Sequence, residues 1–193
     1  MTATLAVCSE TKTTLRRRIL RQRQQLGSAF RARASARIRD KIRALPAFVN
    51  ASSVLAFSPT AEEVDIRPLF DNGKKKLALP RIGSFARREM SLHWVDDYAS
   101  LIAGPRGIME PPADAPLAKP AELDFWLIPA LAADNQKRRL GYGGGFYDTL
   151  LSAAADRPEV VVCAAVFGCQ MVNQIPEMPH DRRADIIITE EDQ

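Results

Sequence analysis

The sequence is poor in the residue types that disulfide scaffolds and zinc proteins require. It contains three cysteines and two histidines among 193 residues, and these do not have the spacing of zinc ligands. An odd number of cysteines cannot pair completely within one chain, so we expect reduced thiols. Common catalytic motifs are missing as well, because GxxxxGK[ST], GxGxxG and the nucleophile elbow GxSxG do not occur. A covalent serine mechanism therefore has no support.

Long apolar runs are also lacking. The longest stretches, such as residues 125–129 and 160–166, are far shorter than the ~20 residues that a helix needs to cross a bilayer. Residues 1–10 lack the cationic start and apolar middle of a secretory signal. We therefore expect a cytosolic protein without a membrane partner.

The composition is that of a globular protein, with 46% hydrophobic and 26% charged residues. The length fits one domain, so we treat residues 1–193 as a single unit, with residues 1–11 a candidate for disorder. Apolar residues at helical spacing predict a helical hairpin that ends at Pro46, with Gly27-Ser28 as its stop and N-cap.

After Pro46, strand-like and helical segments alternate along the chain. Asp65 is a candidate cap for a helix through Phe70 that Gly73 ends, and residues 146–155 form a further predicted helix. Short apolar runs predict strands at residues 54–57, 76–79, 92–95, 124–128, 160–166 and 186–189. This rhythm predicts an α/β fold with a mostly parallel, helix-covered sheet behind an N-terminal helical arm.

The net charge of +4 hides a basic arm. Residues 12–43 contain twelve lysines and arginines but one acid, Asp40, which gives this segment +11 and leaves −7 elsewhere. Such a block is typical either of the solvated face of helices or of a surface that binds RNA. No aromatic side chains are interleaved for base stacking, but RNA binding through this arm is kept as the alternative function.

A cluster of glycines is the strongest functional signal. Four of the ten glycines lie within residues 141–145, where they permit positive φ angles and let backbone amides approach phosphate oxygens. Arg138 and Arg139 enter this loop, and Asp148 leaves it at a position suited to magnesium. A flexible turn also explains glycines, but it does not require two arginines, two tyrosines and a carboxylate around the same loop.

The run Arg139-Leu140-Gly141-Tyr142-Gly143-Gly144-Gly145-Phe146-Tyr147-Asp148 closely resembles the signature of the 5-formyltetrahydrofolate cyclo-ligases, also called methenyltetrahydrofolate synthetases. Further segments fit the same family in order: Lys12-Thr13-Thr14-Leu15-Arg16, FSPTAEEVDI at residues 57–66, Leu79-Pro80-Arg81-Ile82, Gly107-Ile108-Met109-Glu110-Pro111, and His180-Asp181 followed by Asp185. The resemblance spans residues 12–190. It implies a three-layer, Rossmann-like sheet flanked by helices.

The resemblance also implies a reaction, the ATP- and Mg²⁺-dependent closure of 5-formyltetrahydrofolate to 5,10-methenyltetrahydrofolate. ATP phosphorylates the formyl oxygen, the neighbouring nitrogen attacks the activated carbon, and phosphate leaves. The implied partners are 5-formyltetrahydrofolate and ATP, with Mg²⁺ as cofactor, no nucleic acid, and a monomeric enzyme.

By the same resemblance, Arg139 and Tyr147 are the catalytic candidates, and Asp148 and Asp185 are the candidate metal ligands. The implied ATP-binding residues are Lys12, Arg16, Arg139, Leu140, Gly141, Tyr142, Gly143, Gly144, Gly145, Phe146 and Tyr147. The implied substrate-binding residues are Ser58, Glu63, Tyr142, Gly144 and Phe146. From the residues alone, Glu63 is better explained as a surface acid before a capped helix, and aromatic side chains beside a helix start are more often core than part of a ligand site.

The chain departs from the family pattern at three positions: Ala133 replaces a common Phe, Lys137 a common Gly, and Thr149 a frequent Arg. Two other residues are ambiguous from the sequence. His93, beside Trp94 in a strand-like segment, is expected to be structural, and Gln170 fits either a substrate contact or a simple loop role.

Overall fold

The computed structural model describes residues 10–71, 73–152, 157–179 and 181–192. Residues 1–9 of the segment considered for disorder, the end of the helix predicted at residues 146–155, and His180 therefore lie outside the described residues. Glu10 and Thr11 are ordered against the first helix, because Thr11 accepts a hydrogen bond from the Thr14 amide and Glu10 pairs with Arg18.

The N-terminal arm is the predicted helical hairpin. It comprises α1 (Lys12–Gln24) and α2 (Ser28–Ala44), and a short α3 (Pro46–Asn50) follows. Gly27 rather than Ser28 is the N-cap residue of α2. Pro46 ends the hairpin and also begins α3, since proline fits the first turn of a helix.

Twelve strands occur among the described residues: β1 (Ser53–Leu55), β2 (Lys76–Ser84), β3 (Glu89–Val95), β4 (Ile102–Ala103), β5 (Met109–Glu110), β6 (Leu117–Ala118), β7 (Phe125–Pro129), β8 (Ala132–Asp134), β9 (Arg139–Leu140), β10 (Val161–Ala165), β11 (Met171–Val172) and β12 (Ile186–Ile188). Seven of them form the main sheet in the order β12-β10-β7-β1-β2-β3-β6. The first five in that order are parallel, and β3 and β6 extend the sheet with antiparallel pairs.

Alternation along the central strands builds an apolar layer on each face of the sheet. Phe125 and Leu127 of β7 join the cluster that packs under α2 and α3, whereas Trp126 and Ile128 join the cluster on the opposite face. A second helical layer, α4 (Phe146–Ser152), covers that opposite face through Leu151. This helix-covered, mostly parallel sheet confirms the predicted α/β fold class.

Two predicted segments need correction. The helix expected from Asp65 to Phe70 is a single 3-10 turn, Arg67–Leu69, because a segment this short with Pro68 inside it cannot make enough α-helical hydrogen bonds. Strand β2 does not end before Pro80 but continues to Ser84. Beyond Ala78 it no longer pairs with β1, so proline is tolerated on that side, where the Ile82 amide donates to Glu110 instead.

No helix among the described parts of the chain is both long and apolar enough to cross a membrane.

The turn between β8 and β9 is held by the carboxylate of Asp134, which is completely buried. One of its oxygens accepts hydrogen bonds from the amides of Gln136 and Arg138, and the other accepts hydrogen bonds from the Arg138 Nε and the Ile175 amide. Lys137 has a φ angle of 64°, a left-handed conformation that is disfavoured for residues with a Cβ atom. A glycine, which is common in the family pattern at this position, would adopt this backbone conformation without strain, whereas this chain has a lysine there.

We expect Lys137→Gly to raise the free energy of unfolding by ~0.5–1 kcal/mol, because it removes the Cβ strain at a positive φ. Gln136→Gly is the matched control, since it adds the same unfolded-state entropy at a neighbouring position without a positive φ, and it should lower stability. Urea unfolding of both variants measures the difference. An unchanged or lower stability of Lys137→Gly would contradict this interpretation.

Candidate functional site

The glycine loop, residues 141–145, follows β9 and lies at the carboxyl end of the main sheet. The Leu131 amide donates to the Leu140 carbonyl, which places the end of β9 beside the residues that follow β7. Gly143 and Gly145 have φ angles of 100° and 73°, and a Cβ atom at Gly144 would lie 2.8 Å from the ring of Phe146. Gly143 and Gly145 are therefore required by the backbone conformation and Gly144 by the nearby Phe146 ring, and ligands of open α/β sheets bind at this edge.

Two arginines lie against the loop. Arg16 of α1 donates from Nε to the Gly141 carbonyl over 2.9 Å, and its guanidinium carbon lies 3.5 Å from the Cβ position of Gly143. Arg88, from the turn between β2 and β3, places its Nη1 atom 3.5 Å from the Cβ position of Gly145. Positive charge is thus held beside the two glycines with left-handed backbone.

A buried ion pair lies below the loop. Arg139 is only 6% exposed and donates from Nη2 to Asp148 Oδ1 over 2.6 Å. Burial lowers the pKa of Arg139, and the neighbouring Asp148 opposes this effect. Asp181 is also close enough to act on the Arg139 charge, and it forms an ion pair with Lys12 at the start of α1. The carboxylates of Asp148 and Asp181 therefore both influence the charge of Arg139.

Tyr142 crosses from the glycine loop to the segment after β1. Its hydroxyl donates to Glu63 Oε1 over 2.6 Å and accepts a hydrogen bond from Arg23 of α1. Glu63 Oε2 accepts the Thr60 amide over 2.9 Å. Burial of the hydroxyl, followed by the effect of Glu63, raises the pKa of Tyr142. Ser58 precedes this segment, half-buried, just beyond the carboxyl end of β1.

The aromatic residues after the loop line its other side. Phe146 packs edge-on against Phe85 of the β2–β3 turn, with ring centroids 5.6 Å apart. Tyr147 packs against the apolar cluster on this face of the sheet, and burial raises the pKa of its hydroxyl.

The site therefore has an amide-rich loop with cations on one side and an acidic, aromatic wall on the other. A family model described as the 5-formyltetrahydrofolate cyclo-ligase family matches residues 8–190. The chain belongs to this family. Membership confirms the assignment that the sequence motifs indicated, and the fold brings the glycine-loop motif into contact with the motifs that contain Arg16 and Glu63.

Individual cyclo-ligases are similar over nearly the whole chain. A 5-formyltetrahydrofolate cyclo-ligase of Mycolicibacterium smegmatis is 30% identical over 185 residues, which cover 92% of this chain and 93% of the relative. A solved structure of the 5,10-methenyltetrahydrofolate synthetase of Aquifex aeolicus superposes with a TM-score of 0.80 at 32% identity, covering 94% of this chain and 90% of that one. The synthetase of Mycoplasma pneumoniae shares the fold, with a TM-score of 0.75 at 19% identity over 94% and 100% of the two chains.

One predicted site residue of the cyclo-ligase lies elsewhere. Asp185 immediately precedes β12, and its carboxylate accepts the Val162 amide near the start of β10. Both contacts place it at the amino ends of the strands, away from the glycine loop at their carboxyl ends. The structure therefore places Asp185 apart from Asp148, while Asp181 of the same tail acts on the charge of Arg139.

Two residues beside the site are not among the candidates that the sequence predicts. Asp181 belongs to a motif in the sequence, and the structure pairs it with Lys12. Arg23 is one of the arginines of the basic arm, but it is 3% exposed and contacts Tyr142. Its position at i+4 from the buried Ile19 is the one available signal that it faces inward.

The ambiguous residues are structural. Gln170 is buried and donates to the Ala130 and Leu131 carbonyls, so it supports the chain after β7. His93 is hydrogen-bonded at both ring nitrogens, to Ser91 and the Ala115 carbonyl, as its predicted structural role requires.

Proposed function

We propose that this chain cyclises 5-formyltetrahydrofolate to 5,10-methenyltetrahydrofolate and consumes ATP, releasing ADP and phosphate. Family membership supports the reaction. The observation that carries the proposal is the meeting of Arg16 and Arg139 at a glycine loop whose Tyr142 contacts Glu63. One short loop thus joins a surface suited to phosphate with a carboxylate suited to a pterin.

The chemistry fits the charges of the site. The formyl oxygen of the substrate attacks the γ-phosphorus of ATP, and the bond from that phosphorus to the ADP oxygen breaks. The neighbouring folate nitrogen then attacks the activated carbon, and the phosphate leaves with the former formyl oxygen. Phosphoryl transfer of this kind depends on cations around the transferred group and not on a protein nucleophile.

We assign nucleotide binding to five side chains and to the backbone of the glycine loop. Lys12 and Arg16 contact the phosphates from α1, and the amides of residues 141–147 approach them from the loop, with Leu140 supporting its start. Arg139 stabilises the transferred phosphoryl group. Because Arg139 is buried, its attraction to the phosphate is stronger than that of an exposed cation, since charges interact more strongly at low dielectric. Tyr147 donates a hydrogen bond to the reacting phosphate, while Asp148 keeps Arg139 in place until ligands bind.

The carboxylates beside Arg139 fit a magnesium ion. Magnesium prefers oxygen ligands and is commonly held by one or two carboxylates together with substrate phosphates. Asp148 and Asp181 supply such a pair, and both act on the same guanidinium. Bound there, the ion neutralises charge on the phosphates.

The folate lies on the other side of the loop. Glu63 accepts the N–H groups of the pterin's amino-pyrimidine edge, because a carboxylate pairs with two parallel donors. Ser58, beyond β1, adds a polar contact, and Tyr142 and Phe146 pack against the ring system, with Gly144 leaving room beside Phe146.

The direct test measures methenyl formation by near-ultraviolet absorbance, with ATP and Mg²⁺ each omitted in turn. We expect product only when both are present. No turnover by correctly folded protein would remove this function, and RNA binding that survives Gly144→Val and falls steeply with salt would favour the basic arm instead.

The two sides of the site should respond differently to substitution. Arg139→Ala should lower kcat by about 100-fold or more, because it deletes a cation from a desolvated site. Glu63→Ala should instead raise the KM for 5-formyltetrahydrofolate by about tenfold and change the KM for ATP little, since it removes charge-assisted hydrogen bonds to one ligand. Arg21→Ala, on the exposed face of α1, is the control. Equal effects on both substrates would refute the assigned roles.

The magnesium assignment separates two aspartates. Asp181→Asn should increase the Mg²⁺ concentration needed for half-maximal activity by about tenfold, because one anionic ligand becomes neutral. Asp185→Asn is the matched control, since asparagine still accepts the Val162 amide, and its Mg²⁺ dependence should equal that of the wild type. The reverse pattern would restore Asp185 as the ligand.

A further inference from the structure

The arginines of the basic arm do not all face solvent. Arg17, Arg18 and Arg21 of α1 are exposed, but Arg23 is buried to 3% exposure beneath the glycine loop. A buried guanidinium is costly to desolvate, so its position requires partners that compensate for the lost water. Those partners identify what Arg23 does.

Among the described residues, the side-chain hydrogen bond and ion pairs of Arg23 go to the two segments that flank the site. It donates from Nη1 to the Tyr142 hydroxyl, and its guanidinium lies 5.6 Å from the centre of the Tyr142 ring. Its Nη2 lies 3.5 Å from Glu62 Oε2, and its Nη1 lies 3.9 Å from Glu63 Oε1. One cation on α1 therefore joins the glycine loop to the acidic segment after β1.

Tyr142 completes the connection. The Tyr142 hydroxyl accepts a hydrogen bond from Arg23 and donates one to Glu63, so the two partners together fix the orientation of the phenol. Glu63 is in turn fixed by the Thr60 amide at its second oxygen. Tyr142 as a whole is 49% exposed, so the residue remains accessible although its hydroxyl is held by Arg23 and Glu63.

We infer that Arg23 is a positioning residue that couples folate binding to ATP binding through Tyr142 and Glu63, an inference that rests on the proposed function. A nucleotide that orders the glycine loop fixes Tyr142, and Tyr142 with Arg23 then holds Glu63 in the orientation that receives the pterin edge. The reverse holds equally, since coupling between two binding sites is reciprocal. Arg23 itself touches neither substrate.

The test compares Arg23→Met with Arg21→Met, which removes the same charge from the exposed face of the same helix. We expect Arg23→Met to raise the KM for 5-formyltetrahydrofolate by about tenfold with kcat within about threefold of the wild type, and Arg21→Met to change neither. In a Tyr142→Phe background, Arg23→Met should add less than about twofold to KM, because the connecting hydroxyl is already missing. Additive effects, or equal kinetics of the two methionine variants, would overturn the inference.

Calorimetry isolates the coupling from catalysis. The wild type should bind 5-formyltetrahydrofolate at least about fivefold more tightly with a non-hydrolysable ATP analogue present, and Arg23→Met should lose this enhancement. Retention of the full enhancement by Arg23→Met would contradict the inference. If Arg23→Met melts at the assay temperature, Arg23→Lys replaces it, because lysine keeps the charge but not the planar contacts, and it should lose most of the enhancement.

The two proposals fail in different ways. An inactive wild type that binds neither ligand would remove the proposed function and this inference together. An active wild type with an Arg23 variant that resembles the Arg21 control would remove this inference alone.

Discussion

The site depends on one buried carboxylate that touches neither proposed substrate. Asp134 accepts hydrogen bonds from three backbone amides and from the side chain of Arg138, and so fixes a turn in which Lys137 adopts a left-handed backbone. Charge-assisted hydrogen bonds inside a protein are strong enough to hold such a strained residue. Because β9 leaves this turn directly, the position of Arg139 and the start of the glycine loop follow from it.

The basic arm has two roles that a count of its charges cannot distinguish. Arg16 and Arg23 point toward the loop and make contacts with defined partners, whereas Arg17 and Arg21 remain exposed. Exposed cations contribute little to stability, since water and salt screen them. Buried cations fix the geometry around them, since leaving them without partners is costly. The excess positive charge of the arm therefore comes partly from an ordinary solvated helix face and partly from two inward-facing arginines that contact the glycine loop.

Much of the fold was predictable because its elements have clear periodicity. The N-terminal hairpin and the strands at β7 and β10 were recognised from helical spacing and from apolar runs that are buried on both faces. The segment after Asp65 was not, because a cap residue and a terminal glycine also fit a single 3-10 turn. The prediction that β2 ends before Pro80 is wrong, because the sequence does not show that β2 has only one pairing partner at that point.

The site was predictable only where its residues are consecutive. The glycine loop, Arg139 and Asp148 lie in one motif, and the structure brings them together with Arg16. Asp181 and Asp185 lie four positions apart, and which of them is closer to the loop depends on where β12 begins, which is decided by the tertiary structure. Arg23 is one of several arginines on α1, and its burial is decided by the loop that covers it.

The ion pair between Lys12 and Asp181 joins residues 169 positions apart. A ribosome therefore has to synthesise almost the entire domain before the start of α1 and the tail that carries Asp181 can form this contact. Contacts so distant in sequence slow folding, because the entropy lost in closing a long loop has to be offset before such contacts stabilise the chain. A nascent chain that has the glycine loop but not yet its tail would consequently lack the carboxylate that pairs with Lys12, so the site proposed for the nucleotide would stay incomplete until synthesis is nearly finished.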